Sequence, residues 1–239
     1  SISIELINRG IKPSQITMLD ASPWGLFWNS VGSGNFNVNK FKNYIDDIPN
    51  DPSKIQSHIK RLSKQSSNID TEYIFLLLQA SSFGSKSIWN EDDEWKNTSF
   101  RNYWLPTETS KRRSPVNPMM PMPNTLYNRV VKLSENMKGI SGYNLNIENL
   151  IIFEDNSIIY IDPPYKNTTG YGYSFNLNSY IHTILSSANL HNNKIKIYVS
   201  EGYKMTDNAI KITGNRSKGG ISGERKTKNE EWLNVFEGI

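Results

Sequence analysis

The tripeptide Asp162-Pro163-Pro164 constrains this chain more than any other stretch. Proline has no backbone N–H for a sheet ladder, so a strand that reaches these residues must end there. The run before them, from Ser157 to Ile161, is short, apolar and bounded by polar residues, which predicts a buried strand of a parallel sheet. Asp162 then stands at the carboxyl edge of that sheet, where open α/β folds bind ligands. A stiff turn carrying a carboxylate, a proline carbonyl and the ring of Tyr165 suits a flat molecule that bears an amine. The simpler reading is a strand closed by a Pro-Pro turn and a capping acid. The apolar strand before the turn and the Gly/Tyr-rich loop after it, through Tyr173, favour the ligand site.

With 239 residues the chain can bury a good core, as one domain or as one domain with an insertion. A net charge of +4 fits a polyanionic partner without requiring one. Cysteine is absent, which excludes disulfides and thiolate metal sites. The three histidines, His58, His182 and His191, are scattered, so no metal centre is expected. No apolar run approaches membrane length and no signal peptide is visible, which predicts a soluble cytoplasmic protein.

Taken in order, residues 1–9 predict an amphipathic helix stopped by Gly10. Residues 16–20 predict a second short buried strand that ends in Asp20. An acid in that position can take ribose hydroxyls in a nucleotide-binding fold. It can equally cap the helix that begins near Pro23; the two roles are compatible. Trp24, Phe27, Trp28 and Val31 recur at helical spacing, as core residues do. Pro49 and Pro52 bracket Asn50-Asp51 and mark a boundary. Further helices are predicted over 53–63, over 70–82 with Asp70 or Thr71 as cap, over 123–137 and over 178–188. Strands are predicted over 194–201 and 231–236. Between them lie three basic stretches. Trp89, Trp95, Phe100, Tyr103 and Trp104 interleave with Lys86, Lys96 and Arg101, a pattern that suits base stacking and phosphate contact or simply a small aromatic core. Lys111-Arg112-Arg113 opens a proline-rich loop that can follow a nucleic-acid backbone or lie solvated. Arg216, Lys218 and Arg225 sit in a Gly-containing basic loop, where cations neutralise phosphates in a salt-sensitive way.

The run Asp162-Pro163-Pro164-Tyr165, continued by Thr168-Thr169-Gly170-Tyr171, resembles the motif of Dam-like N6-adenine DNA methyltransferases of the phage-type branch. The resemblance extends over nearly the whole chain. Ser82-Phe83-Gly84 matches the turn at the end of a long helix in that family, and Glu231-Trp232-Leu233 matches its last strand. The implied fold is α/β, a Rossmann-like class I methyltransferase sheet with an inserted, mainly helical target-recognition domain. The implied division is a catalytic domain from 1–48 and 145–239 and a DNA-binding insertion over 49–144.

The implied activity is methyl transfer from S-adenosylmethionine to the N6 of an adenine flipped out of double-stranded DNA, as in phage-encoded or bacterial restriction-modification. Asp162 and the Pro163 carbonyl accept the amino hydrogens and make the nitrogen lone pair usable, while Tyr165 stacks on the base. Asp20, Asn146, Asp162 and Pro164 hold the cofactor. Lys86, Trp89, Arg101, Lys111, Arg112, Arg113, Lys166, Arg216, Lys218 and Arg225 contact DNA. The family opens with a strand and a Gly-rich cofactor loop, whereas this sequence starts inside the helix that follows. A second chain or segment is therefore expected to supply that loop. The alternatives are a non-catalytic DNA-binding relative, fragmentary or degenerate, and an RNA adenine methyltransferase.

Overall fold

The computed structural model describes residues 2–82, 87–90, 92–96, 99–101, 108–109, 111, 121–150, 153–163, 175–212 and 231–238. Among them are seven α-helices and six strands. The chain forms two compact units, Ser1–Ile147 and Glu148–Ile239. The boundary expected at 48/49 is a turn inside the first unit, because the helices on both sides of it share one core.

That core is built on α2 (Pro23–Gly32). Ser22 caps it by accepting from Trp24 N at 3.3 Å, and Pro23 occupies its first turn, where a missing N–H costs nothing. Phe27 is fully buried and meets Trp24, Trp28 and Phe36 edge-on, at ring-centre distances of 4.8–5.8 Å. Trp24 reaches Phe75 at 5.3 Å, and Phe36 stacks on Tyr73 at 5.1 Å. Phe75 and Tyr73 belong to α5 (Thr71–Ser81), so the aromatic cluster ties α2 to a helix on the far side of the Pro49–Pro52 turn. Burying a side chain of this size contributes about 1.5–3 kcal/mol. Helices α3 (Val38–Asp46) and α4 (Pro52–Leu62) add Phe41, Ile45, Ile55, Ile59 and Leu62 to the same core. Residues 53–63 read as a polar helix, yet α4 buries one full face.

A two-stranded parallel sheet joins β1 (Thr17–Leu19) to β2 (Ser141–Tyr143). β2 was not anticipated. Gly142 makes it possible: a Cβ there would lie 2.2 Å from the Trp28 carbonyl carbon, so only glycine lets β2 run against the α2 backbone. β1 is half-buried rather than buried. The N-terminal helix α1 (Ile2–Asn8) forms as expected but buries no residue, and Ile2 and Leu6 are exposed. The long helix α6 (Pro123–Asn136) completes this unit.

The second unit is a four-stranded mixed sheet in the order β3-β4-β6-β5. β3 (Ser157–Ile161) and β4 (Ile195–Glu201) pair in parallel and are connected by α7 (Leu177–His191), a strand–helix–strand crossover. β6 (Glu231–Gly238) runs antiparallel between β4 and β5 (Ile210–Ile212). α7 covers one face, burying Tyr180, Ile181, Ile184 and Ala188 with Ile195, Ile197 and Val199. Its position is fixed by Asn176, which accepts from Ser179 N at 3.1 Å, and by Tyr180 OH, which donates to the Leu150 carbonyl at 2.9 Å. β3 departs from expectation. Ile161 is buried, but Ile158 is 74 % exposed and Tyr160 is also exposed, because they project from the face opposite α7. An apolar run without alternation does not reveal that only one of its faces is covered.

Candidate functional site

The carboxyl edge of the second unit's sheet gathers four polar side chains. Asp162 follows β3 directly and Ser200-Glu201 close β4, where Ile161 pairs with Val199. β6 begins at this same edge, with Trp232 opposite Glu201. Glu231 therefore arrives beside them, and Ser200 Oγ lies 3.4 Å from its Oε1. Glu201 is buried and accepts from Gly202 N at 2.7 Å. Asn234, fully buried two residues further into β6 than Trp232, has both ends of its amide satisfied by the loop after β4. It accepts from Met205 N at 2.6 Å and donates to the Tyr203 carbonyl at 3.2 Å. That pairing pins the loop that borders the edge.

Asp162 is exposed, and among the described residues no hydrogen bond reaches its carboxylate. Nearby protein still strips enough water from it to raise its affinity for a proton, and the negative charge of Glu231 adds to the rise. Pro163 beside it is buried. A carboxylate held at a sheet edge, with no donor among the described residues, is an acceptor open to a ligand's N–H or O–H. Tyr165, Pro164 and Lys166 lie outside the described residues, as do Lys86, Arg112, Arg113, Arg216, Lys218 and Arg225.

Asp20 occupies the equivalent place at the end of β1 in the first unit. Its backbone N extends the ladder by donating to the Tyr143 carbonyl at 3.2 Å. Its Oδ1 accepts from Ser22 N at 2.8 Å and from Ser22 Oγ at 2.6 Å. Asp20 thus braces the residue that caps α2, and the capping role itself falls to Ser22. Burial raises the Asp20 carboxyl above its ordinary value, and the two Ser22 bonds oppose that rise. No bond reaches Oδ2 among the described residues, which leaves one oxygen for an outside hydroxyl. Asn144, which the sequence did not single out, clamps this corner: its Nδ2 donates to the carbonyls of Asp20, Ala21 and Ser22 at 2.8–3.1 Å. The signal was available, since an amide directly after a strand commonly organises a turn. Gly25 packs beneath the same corner, with space for no side chain: a Cβ would lie 2.2 Å from the Asp20 carbonyl oxygen. Asn146 is exposed, two residues past the clamp.

Of the remaining DNA-contact residues, Trp89 requires correction. It is 4 % exposed, packs edge-on against Trp95 at 4.7 Å and donates from Nε1 to Asp93 Oδ1 at 3.3 Å. Buried to this degree, its ring presents no face for stacking. Arg101 is half-buried, with its backbone N donating to the Ser81 carbonyl at 2.8 Å, and Lys111 is exposed. Among the described residues no group of His, Asp and Glu could hold a metal ion, and no helix is long and apolar enough to cross a membrane. Compared with protein-family models and with curated proteins, the sequence matches none.

Proposed function

We propose that the protein is a DNA adenine-N6 methyltransferase, with Asp162 as the carboxylate that holds the target amine. The observation that carries this reading is the setting of Asp162. It closes a parallel strand at the ligand-binding edge of an α/β unit, is exposed, and has no hydrogen-bond donor among the described residues. Asp162 and the Pro163 carbonyl accept the two amino hydrogens of an extruded adenine. This favours a pyramidal nitrogen whose lone pair is no longer shared with the ring. Tyr165 stacks on the base, as the resemblance implies. The reaction needs positioning more than covalent chemistry from the protein.

The cofactor implied by the resemblance, S-adenosylmethionine, fits what Asp20 offers. Its Oδ2 has no partner among the described residues and can accept from a ribose hydroxyl, while Asn146 stands exposed two residues beyond the Asn144 clamp. When bound, S-adenosylmethionine supplies a methyl group on a positively charged sulfur. In this reading Arg101, Lys111 and the basic loop over 216–228 lie along the DNA backbone.

The test is Asp162→Ala, followed by transfer of labelled methyl to duplex DNA and by DNA binding in parallel. We expect a loss of about 100- to 1000-fold in rate, the size typical of removing one preorganised polar contact at a reacting group. DNA affinity stays within a few-fold. Undiminished methylation would remove Asp162 from the reaction.

A further inference from the structure

The turn from Asp20 to Ser22 is held more firmly than the start of a helix needs. Ser22 as cap and Pro23 in the first turn already begin α2. Beyond them, Asp20 is gripped on both sides of its backbone by Tyr143, the last residue of β2, and by Asn144, the next one. Its N–H donates to the Tyr143 carbonyl at 3.2 Å, and its own carbonyl accepts from Asn144 Nδ2 at 3.1 Å. Its side chain is fixed as well, since Oδ1 takes both the N–H and the hydroxyl of Ser22.

Asn144 is the unusual member. Three consecutive carbonyls, those of Asp20, Ala21 and Ser22, converge on its Nδ2 at 3.1, 3.1 and 2.8 Å. Carbonyl dipoles aimed at one place repel each other, and the two hydrogens of an amide NH2 offset that repulsion. The amide oxygen would only add to it, so the NH2 end must face the turn. Asn144 is exposed, so water can reach the three carbonyls when the side chain is removed. The fold then loses little, but the turn loses the contact that holds its shape. What that shape serves is Asp20 Oδ2, which has no partner among the described residues. An acceptor gains most from a ligand's hydroxyl when its direction is set before the ligand arrives.

We propose that Asn144 is a positioning residue, holding the Asp20–Ser22 turn so that Asp20 Oδ2 is aimed at a ribose hydroxyl of S-adenosylmethionine. The inference rests on the cofactor reading of Asp20 given above. It adds a residue that acts through Asp20 and not by touching the cofactor.

The test is a double-mutant cycle read by binding. Calorimetry with S-adenosylmethionine is run on the full chain as native protein, Asp20→Asn, Asn144→Ala and the double variant, each well below its melting temperature. Asp20→Asn removes the charged acceptor and should weaken binding about tenfold or more, the value of one hydrogen bond to a charged group. Asn144→Ala should weaken binding about fivefold when Asp20 is present, and by less than about twofold when it is already Asn. General damage to the fold would instead lower affinity by the same factor in both backgrounds. Asn144→Asp keeps the shape of the side chain but has no hydrogen to donate, so it should bind no better than Asn144→Ala and stands in for it should the alanine variant not fold.

Native affinity in either Asn144 variant, beside a weakened Asp20→Asn, overturns the positioning role and leaves the cofactor reading in place. An equal loss in both backgrounds overturns it too. Full affinity in Asp20→Asn, or a native chain that does not bind, overturns the cofactor reading and this inference with it.

Discussion

Asp20 and Asp162 start from the same local pattern and end in opposite states. Each follows a short strand paired in parallel, and each stands at that strand's carboxyl end. Asp20 turns its Oδ1 back onto Ser22 N, two residues on. The residue two positions after Asp162 is Pro164, which has no N–H to offer. The local bond that an aspartate normally makes in a turn is thus removed by sequence at Asp162 and permitted at Asp20. One acid is engaged in holding a helix start, and the other is left as an acceptor with no donor among the described residues. Chemistry at the edge of a sheet is decided as much by what the next two residues withhold as by the acid itself.

Substitutions can break this comparison, the strongest acting beneath Asp20. Gly25→Ala drives a Cβ into the Asp20 carbonyl, the Asn144 Cα and the Tyr143 carbonyl, all backbone atoms. We expect a loss of about 1–3 kcal/mol, measured by denaturant unfolding. A neutral result would mean that the Asp20 corner is loose. Next comes Pro164→Ala, which gives Asp162 the N–H it lacks. If the comparison is right, the carboxylate gains a local partner and methyl transfer falls about tenfold, the value of one hydrogen bond to a charged group. An unchanged rate would show that proline serves only as a strand stop.

A smaller effect separates the two acids by whether the fold uses the hydrogen bonds of the side chain. Asp20→Ala strips Ser22 of its brace and should cost about 1 kcal/mol. Asp162→Asn should cost nothing at neutral pH and can raise the melting temperature. The sign follows from linkage. The folded-state pKa of Asp162 is raised, so its favourable contribution is complete below the unfolded pKa and is lost as pH rises through the folded one. A drop in melting temperature for Asp162→Asn would mean that the carboxylate has a structural partner.

How far the sequence carries can be seen in particular residues. Helix starts were legible where a proline marked them, as at Pro23 and Pro123, because proline acts through local geometry, whereas the Asn176 cap of α7 went unread. β4 and β6 were legible from alternation and length. β2 and β5 were not, since three-residue strands carry no period and exist through their partners. Trp89 could have stacked on a base or packed at home, and only burial decides between the two. Asp70 looked like a cap and became half of an ion pair with Lys40, a residue thirty positions earlier. At the candidate site Asp162 and Asp20 were readable from strand ends. Ser200 joins Asp162 through the parallel pairing of β3 with β4, and Glu231 only through the antiparallel return of β6, which no local pattern encodes.

The finest test of the contrast acts through Glu231. Its charge is the second cause, after burial, of the raised pKa of Asp162, whereas Asp20 has no such neighbour among the causes of its shift. If the proposed methyl transfer uses Asp162 as a carboxylate, the rate should fall on the acid side as that group takes up a proton. The fall should begin above the range of an ordinary aspartate, near 3.9 on the scale of model peptides. Glu231→Gln removes the repulsion, lowers the pKa of Asp162 and moves the acid limb of kcat/KM to lower pH, with the plateau at neutral pH unchanged. Both side chains are exposed, so water and salt screen the interaction, and the displacement is the smallest effect expected here. Raising salt with the native protein should move the limb in the same direction, and should do little more once Glu231 is neutral. A limb that stays in place in Glu231→Gln, or that shifts to higher pH, would show that burial alone sets the proton affinity of Asp162.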